Sequence, residues 1–363
     1  MRTLKLTGVL ALVLASAGAP LSARLAAPVA AGPAFRSIGP LAFNAQGTLF
    51  AGDTDAAAIY ALDLGVQAAG ATPGTGNVGQ IDQKIAALLG TAASDLTLTD
   101  LAVHPASRNS FVSVMRGQGA GAQPALVRVD GDGTLALVDL AAVTFTSVSL
   151  PNPVAANPGA RTNPRTQTIM DLAFVGGRLV VAGLSNEEFA SRLWSVPYPF
   201  ASTDRGTSVE IFHGNHGRLE TNSPIFSFVP YTVGREASIV AGYLCTPLVK
   251  VPVSALTPGA KVLGTTIAEL GNGNRPIDMI VYTKDGRDYL LMSNTRRGVM
   301  KIPTAQFATA EPITQRIGGT QGEFETIASM TGVEQLDLLD GTRSVVIARA
   351  EDGTRHLSAV VLP

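Results

Sequence analysis

Apolar and polar positions along this chain follow one pattern that returns six times. Each copy contains a short apolar strand, a turn with Gly or Asp, a second apolar strand, a loop and a third apolar strand. Successive copies start about 50 to 70 residues apart, which is the length of one blade of a β-propeller. The copies are Ile38–Leu64, Leu98–Asp130, Ile169–Pro197, Pro224–Val253, Pro276–Pro303 and Val333–Leu362.

The intervals between the copies supply the remaining elements. Thr134–Val148 and Lys261–Glu269 have the pattern of outer strands, Ile81–Leu89 is a short helix candidate, and Pro151–Thr168 is interpreted as an ordered insertion or a mobile lid. We therefore predict an all-β fold, a six-bladed β-propeller with four-stranded antiparallel blades around a central channel. Seven blades would fit if an insertion hides one. Phe35-Arg36-Ser37 is expected to join the last blade and close the ring.

The first copy carries a family resemblance in Gly39-Pro40-Leu41-Ala42-Phe43, Gly47-Thr48-Leu49-Phe50, Asp53-Thr54 and Ile59-Tyr60-Ala61-Leu62-Asp63. This pattern resembles the six-bladed propellers of the NHL-repeat and regucalcin/gluconolactonase type. The resemblance implies a divalent cation held in the channel by Glu, Asn and Asp, which polarises a substrate carbonyl. The Glu of that family is replaced by Ile38, its Asn-Gly motif has no clear equivalent, and only Asp278 stands where its Asp would.

The N-terminus and the composition indicate the compartment. Arg2 and Lys5 precede the apolar stretch Leu6–Ala19, and small residues follow, which is typical of a secretory signal peptide. We expect residues 1–31 to be the signal and an Ala/Pro-rich lead, residues 32–363 to be a single propeller domain, and the protein to be periplasmic or secreted. Charged residues make up 15% of the chain and the net charge is −1, so no nucleic-acid surface is expected. We expect no membrane span after signal cleavage, and a monomer.

The densest group of candidate ligands is a loop with two of the four histidines, His213 and His216, followed by Glu220. Imidazole is the commonest transition-metal ligand in proteins, and a carboxylate or the only cysteine, Cys245, could complete a site. These four residues are the candidate metal ligands, for calcium, zinc or copper. The alternatives are a hydrogen-bonded polar loop, a histidine acting as general base, and a buried, inert thiol.

Two further loops are candidate binding sites for a ligand. Arg275 could bind a carboxylate or phosphate or pair with Asp278 or Glu269 between blades. Adjacent acids beside an amide could bind a hard cation or cap a short helix. The candidate ligand-binding residues are Asn186, Glu187, Asn274, Arg275, Asp278, Asn294 and Arg296.

Three functions are consistent with this sequence. The first is an exported propeller that binds a small ligand, a metal ion or a protein partner at one mouth of the channel, with no specific reaction. The second is a metal-dependent hydrolase of the lactonase or esterase type. The third is a redox accessory protein that binds copper through His213, His216 and Cys245. No complete catalytic signature, such as a Gly-x-Ser-x-Gly elbow, is present.

Overall fold

The computed structural model describes residues 32–67, 74, 76–160, 163–245 and 247–363. The signal peptide predicted in residues 1–31 lies outside the described residues. Within the described ranges, no helix is both long enough and apolar enough to cross a membrane.

The described residues form strands throughout, with one α-helix, α1, at Ile81–Leu89 as predicted. The strands of the first half are β1 (Leu41–Phe43), β2 (Thr48–Asp53), β3 (Ala58–Asp63), β4 (Leu96–Val103), β5 (Ser110–Arg116), β6 (Gln123–Val129), β7 (Leu135–Leu137), β8 (Thr144–Ser149), β9 (Asp171–Val175), β10 (Arg178–Leu184), β11 (Ser191–Pro197) and β12 (Thr207–His213). Those of the second half are β13 (Arg218–Glu220), β14 (Ile225–Val233), β15 (Glu236–Tyr243), β16 (Pro247–Pro252), β17 (Lys261–Glu269), β18 (Pro276–Lys284), β19 (Arg287–Asn294), β20 (Gly298–Pro303), β21 (Glu325–Thr326), β22 (Val333–Leu338), β23 (Arg343–Arg349) and β24 (Arg355–Val361). Short 3₁₀ turns occur at Gly65–Gln67, Ala93–Asp95, Gly119–Gly121, Leu140–Ala142, Pro164–Gln167 and Val253–Ala255.

The turns between first and second strands have the residues that tight hairpins need. In the β18–β19 hairpin, Lys284 pairs with Arg287, so the loop consists of Asp285 and Gly286 alone. Both residues have positive φ, 52° and 73°. An Asp-Gly pair tolerates these angles, and the resulting turn matches the right-handed twist of the strands.

The strands assemble into six blades in the part of the chain that the structure describes. Blade 1 contains β1, β2, β3 and β8, blade 2 contains β4 to β7, blade 3 contains β9 to β12, blade 4 contains β14 to β17, and blade 5 contains β18 to β21. Blade 6 has β22, β23 and β24, and Val78 bridges Leu357 at its outer edge. The predicted six-bladed propeller with antiparallel blades is confirmed.

The blades do not follow chain order around the ring. The innermost strands contact one another in the closed sequence β4, β1, β9, β14, β18, β22 and back to β4. Blade 2 therefore lies between blades 1 and 6. After blade 1 the chain passes the outer edge of blade 6 at Val78, builds blade 2, and returns to blade 1 as its outer strand β8.

Two sequence predictions about connections need correction. Phe35-Arg36-Ser37 does not join the last blade, because Arg36 N–H donates to Asp53 Oδ2 at 2.6 Å and Ser37 also bonds to Asp53, within blade 1. The segment Thr134–Val148 does not stay in one blade, since β7 completes blade 2 whereas β8 pairs with β3 of blade 1. The ring closes instead where the innermost strands β22 and β4 of blades 6 and 2 lie side by side.

Four aspartates join neighbouring innermost strands. Asp100 accepts the N–H of Leu41, Asp171 that of Phe228, Asp278 that of Leu336 and Asp337 that of Val103, at 2.6 to 2.8 Å. The second oxygen of each accepts the N–H of the residue that follows it. These bonds link blades 2–1, 3–4, 5–6 and 6–2, which are four of the six contacts in the ring.

Candidate metal centre

The predicted metal ligands meet where blades 3 and 4 are joined. The outer strands β12 and β17 pair in parallel, from Ser208 with Lys261 to Ile211 with Gly264. The two blades therefore form one continuous sheet. His213 ends β12, and the chain then turns through Gly217 into β13. Cys245 lies in the turn between β15 and β16 of blade 4. In a blade of four antiparallel strands, the turn between the second and third strands lies at the same edge of the sheet as the end of the fourth strand. The topology thus places His213, His216, Glu220 and Cys245 together.

The carboxylate of Glu220 is hydrogen-bonded to the Nδ1 atom of both imidazoles. His213 Nδ1 lies 2.9 Å from Glu220 Oε2, and His216 Nδ1 lies 2.6 Å from Glu220 Oε1. Burial alone would raise the pKa of Glu220, but the hydrogen bonds from the two histidines outweigh it and lower the pKa. An ionised carboxylate only accepts hydrogen bonds, so each Nδ1 donates its proton to Glu220. The Nε2 of each ring is then the atom that could bind a metal ion.

The Nε2 of His213 has no hydrogen-bond partner among the described residues, although the side chain is only 1% exposed. A buried polar atom without a partner is costly, and in a folded protein it calls for an explanation. The ring of His216 lies alongside, with centroids 3.8 Å apart. A buried ring nitrogen without a hydrogen-bond partner thus belongs to an imidazole that lies beside a second imidazole.

Cys245 is held in a conformation that an ordinary loop residue avoids. Its φ is 62° and it is 6% exposed. Its N–H donates to the carbonyl of Asn274 at 2.7 Å, its thiol donates to Asn272 Oδ1 at 3.1 Å, and Gly273 N–H donates to its Sγ at 3.4 Å. A left-handed non-glycine residue costs of order 1 kcal/mol or more and persists where the surroundings fix it.

One ring nitrogen from each histidine and Cys245 Sγ lie within 4.8 Å of one another. Ligands around a single ion with metal–ligand lengths of about 2.0–2.3 Å are about 3.3–3.8 Å apart. Small side-chain rotations would bring the three ligand atoms to the distances that one ion requires. Glu220 would be the carboxylate that orients both imidazoles by accepting their Nδ1–H groups, as second-layer carboxylates do at metal sites.

A second carboxylate, which no sequence pattern marks as a site residue, supports the histidine loop. Glu269 ends β17, is fully buried, and accepts hydrogen bonds from Gly214 N–H at 2.5 Å and Asn215 Nδ2 at 2.8 Å. Burial raises the pKa of Glu269, although the nearby His213 and the Asn215 amide act in the opposite direction. No spacing signal identifies Glu269, because it reaches the loop only through the parallel pairing of β12 with β17.

The residues predicted around Arg275 form the frame beneath Cys245. Asn274 Nδ2 donates to Asn294 Oδ1 at 3.1 Å, and Asn274 Oδ1 accepts Arg296 N–H at 3.0 Å. Asn274 and Asn294 are buried, so their amides fix the loop that carries the Cys245 contacts. Arg275 itself lies over the ring of Phe226, with 5.4 Å from Cζ to the centroid. The predicted pairing of Arg275 with Asp278 or Glu269 is wrong for these described residues.

Glu187 belongs to an ion-pair network in blade 3. Its Oε2 binds Arg192 at 2.8 Å and Arg205 at 2.9 Å, and its Oε1 accepts from Asn152 at 2.9 Å. Burial raises the pKa of Glu187, but Asn152, Arg205 and Arg192 together lower it to about 2. Asn186 is exposed and no helix begins at this loop, so the predicted helix cap is wrong. Glu187 serves instead as the partner of Arg192, whose side chain is 1% exposed.

Asp278 lies in the central channel, apart from the other candidates. It lines a cavity of about 460 Å³ with Asp100, Asp171 and Asp337, and none of the four metal candidates lines this cavity. Burial and the charges of Asp100 and Asp171 raise the pKa of Asp278 well above its ordinary value. Its two oxygens accept backbone N–H groups of Leu336 and Met279. A signal for this role exists in the sequence, since an Asp recurs in four apolar innermost strands.

Known proteins share little sequence with this chain. No family model matches this sequence, and no curated protein matches it. The chain is similar to the PQQ-bound aldose sugar dehydrogenase of Streptomyces coelicolor, with 14% identity over 92% of this chain and 96% of that chain and a TM-score of 0.31. It is also similar to a candidate oxidoreductase (glucose dehydrogenase) of Thermus thermophilus, with 13% identity over 91% of this chain and 98% of that chain and a TM-score of 0.33. At such identities and scores the likeness carries no argument about cofactor, substrate or reaction.

Proposed function

We propose that this protein is an exported β-propeller that binds one copper ion through His213, His216 and Cys245 and transfers single electrons. The observation that carries the proposal is the buried, unpartnered Nε2 of His213, placed beside a second imidazole and the only cysteine of the chain. A bound ion accounts for that nitrogen, for the shared carboxylate behind both rings, and for the left-handed backbone of Cys245.

The ligand set favours copper over the other metals. Two imidazoles with one thiolate form the trigonal set of copper electron-transfer sites, whereas structural zinc sites use four protein ligands. Calcium requires six to eight oxygen ligands, and here the two nearby carboxylates are engaged by the histidine Nδ1 atoms and by the Gly214 loop. Among the His, Cys, Asp and Glu side chains described, the group contains three members.

The surroundings suit a one-electron centre. Copper, when bound, supplies the redox couple. The protein would hold it in a fixed geometry, with Glu220 orienting the imidazoles and Gly273 N–H donating to the sulfur, a contact that tunes such potentials. His213 and Cys245 are buried, while the side chain of His216 is 37% exposed. His216 therefore offers the route between the enclosed ligands and a partner at the surface.

The lactonase alternative depends on Asp278, the residue that matches the resembled family. Both oxygens of Asp278 accept backbone N–H groups, and the bond from Leu336 joins blades 5 and 6. The described residues that line its cavity include three more aspartates and no histidine. The geometry favours the copper site, because its candidate ligands are imidazole nitrogens and a thiolate, which are ligands that suit copper.

The test is metal loading of the exported chain, purified without an affinity tag and stripped with a chelator. We expect one copper per chain and, after oxidation, the intense visible absorption of a thiolate–copper(II) charge transfer. Cys245→Ala should abolish the absorption, and His213→Ala should abolish stoichiometric binding. His356→Ala is the matched control, because His356 bonds to Gln80 and Thr354 far from the site in sequence. A colourless protein that retains one zinc, or one that takes up no metal, would overturn the proposal.

A further inference from the structure

Five exposed arginines surround the candidate metal centre, and we call them the arginine rim. They lie on the loops that contact the centre or on the segment packed over it. The rim consists of Arg218, Arg275, Arg296, Arg297 and Arg316.

The contacts of the rim residues place them close to the ligands. Arg218 Nε lies 3.2 Å from Glu220 Oε1. A Cβ on Gly217 would lie 2.8 Å from Cβ of Arg316, so that side chain rests on the histidine loop. Arg296 Nη1 would lie 3.1 Å from a Cβ on Gly273, whose N–H donates to Cys245 Sγ.

The rim carries charge that the described structure leaves largely unpaired. Arg218 pairs with Glu220, and no other rim arginine makes an ion pair with a described residue. The carboxylates on the adjoining segments are Glu220 and Glu269, which are engaged in the centre, and the exposed Glu311, Glu323 and Glu325, which make no ion pair with a described rim arginine. The whole chain has a net charge of −1, so this concentration of guanidinium groups does not reflect a basic protein.

We infer that the arginine rim docks an acidic redox protein over His216. This inference rests on the proposed function and adds the chemistry of the partner. Guanidinium groups pair with carboxylates in a bidentate geometry. A local patch of one sign raises the rate of association with a partner of the opposite sign by about 10- to 1,000-fold at low salt. A transient electron-transfer contact needs only a small interface, which suits a ring of charges around one exposed imidazole.

The experiment compares two triple variants with the same change in net charge. The rim variant is Arg218→Gln/Arg297→Gln/Arg316→Gln. The control variant is Arg108→Gln/Arg235→Gln/Arg287→Gln, whose arginines are exposed at the turns between first and second strands. Copper content is measured first, so that a failure to bind copper is recognised as failure of the proposed function.

Copper-loaded proteins are then oxidised in a stopped-flow instrument by ferricyanide, an anion, and by tris(phenanthroline)cobalt(III), a cation. At low salt the rim variant should react with ferricyanide about 10-fold more slowly than the parent, while the control variant stays within about twofold. The rate with the cationic oxidant should not fall in the rim variant. Equal losses in both variants would show a whole-molecule charge effect and overturn the inference.

A second readout needs no metal. Association of the apoprotein with a fluorescent polyglutamate peptide is measured at low and high salt, beside association with phosphatidylglycerol vesicles. Loss of peptide binding in the rim variant alone supports an acidic protein partner. Rim-dependent binding to vesicles without binding to the peptide would identify a lipid surface instead, and would overturn the proposed partner.

Discussion

Glu220 provides the sharpest test of how the centre is organised. In Glu220→Gln the side chain keeps its length and one carbonyl oxygen, but it can accept only one of the two Nδ1–H groups that now lie 2.9 and 2.6 Å from the carboxylate. The amide NH₂ then faces the N–H of the other imidazole. That ring loses the contact that fixes its tautomer and direction, although all three ligands remain in the chain.

The expected loss follows from the bond that disappears. A hydrogen bond to a charged group contributes about 1.5–3 kcal/mol net, and loss of an outer carboxylate typically weakens metal affinity by about 10- to 100-fold, or about 1.4–2.7 kcal/mol. We therefore expect copper(I) affinity, measured by competition with a chromophoric chelator, to fall by about 10- to 100-fold. Glu236→Gln is the matched control, because Glu236 is exposed at the far end of β15, and it should change the affinity less than threefold.

Two results would refute this reasoning. An affinity within threefold of the parent would mean that Glu220 does not orient the imidazoles. A loss as complete as that of Cys245→Ala would mean that Glu220 is itself a metal ligand. Thermal unfolding of the metal-free variants separates either result from misfolding.

Two further predictions concern the scaffold. Burial raises the pKa of Asp171 to about 7 and that of Asp337 to about 6. The folded state therefore binds more protons than the unfolded state between about pH 4 and 7, and the free energy of unfolding should fall as pH rises through this window, by at most about 1.4 kcal/mol per pH unit for each proton. Urea unfolding at pH 4, 5.5 and 7 measures the free energy of unfolding across this window. If Asp171→Asn left its pH dependence unchanged, Asp171 would not be one of the groups responsible. Gly183→Ala should lower the free energy of unfolding by about 1–3 kcal/mol or more, because the added Cβ would collide with the carbonyl of Thr168. Gly121→Ala is the control, since a Cβ there would have no atom within 4 Å. Equal melting temperatures of the two variants would contradict the prediction.

The sequence allowed the blades to be predicted because their signals are local. Apolar strands separated by Gly and Asp turns define each hairpin within about 25 residues, and α1 shows helical spacing over Ile81–Leu89. The crossed connections could not be predicted in this way. Strand β8 follows blade 2 directly but pairs with β3, and nothing in its residues distinguishes an outer strand of one blade from that of another.

The same distinction holds for the candidate site. His213, His216 and Glu220 lie within eight residues of one another, so their association could be predicted from spacing. Cys245 could only be offered as a possible further ligand, because its place beside the histidines is set by the fold. The ion pair of Glu187 with the buried Arg192 could not be predicted, because Arg192 resembles any strand arginine in the sequence. Buried ion pairs and contacts between outer strands are set by tertiary packing, which the local pattern does not encode.

The position of the centre follows from the way blades 3 and 4 are joined. Neighbouring propeller blades can meet through side chains alone, but here the backbone of β12 pairs with β17 in register from Ser208 to Ile211. Because of that pairing, the end of β12 lies beside the end of β17, and Glu269 can accept hydrogen bonds from Gly214 N–H and the Asn215 side-chain amide. It also fixes the distance between the histidines of blade 3 and Cys245 of blade 4, which belong to different blades and would otherwise move with them. Because a metal centre requires its ligands to be held to within about 0.5 Å, the continuous sheet supplies at this place the rigidity that a site between two separate blades would lack.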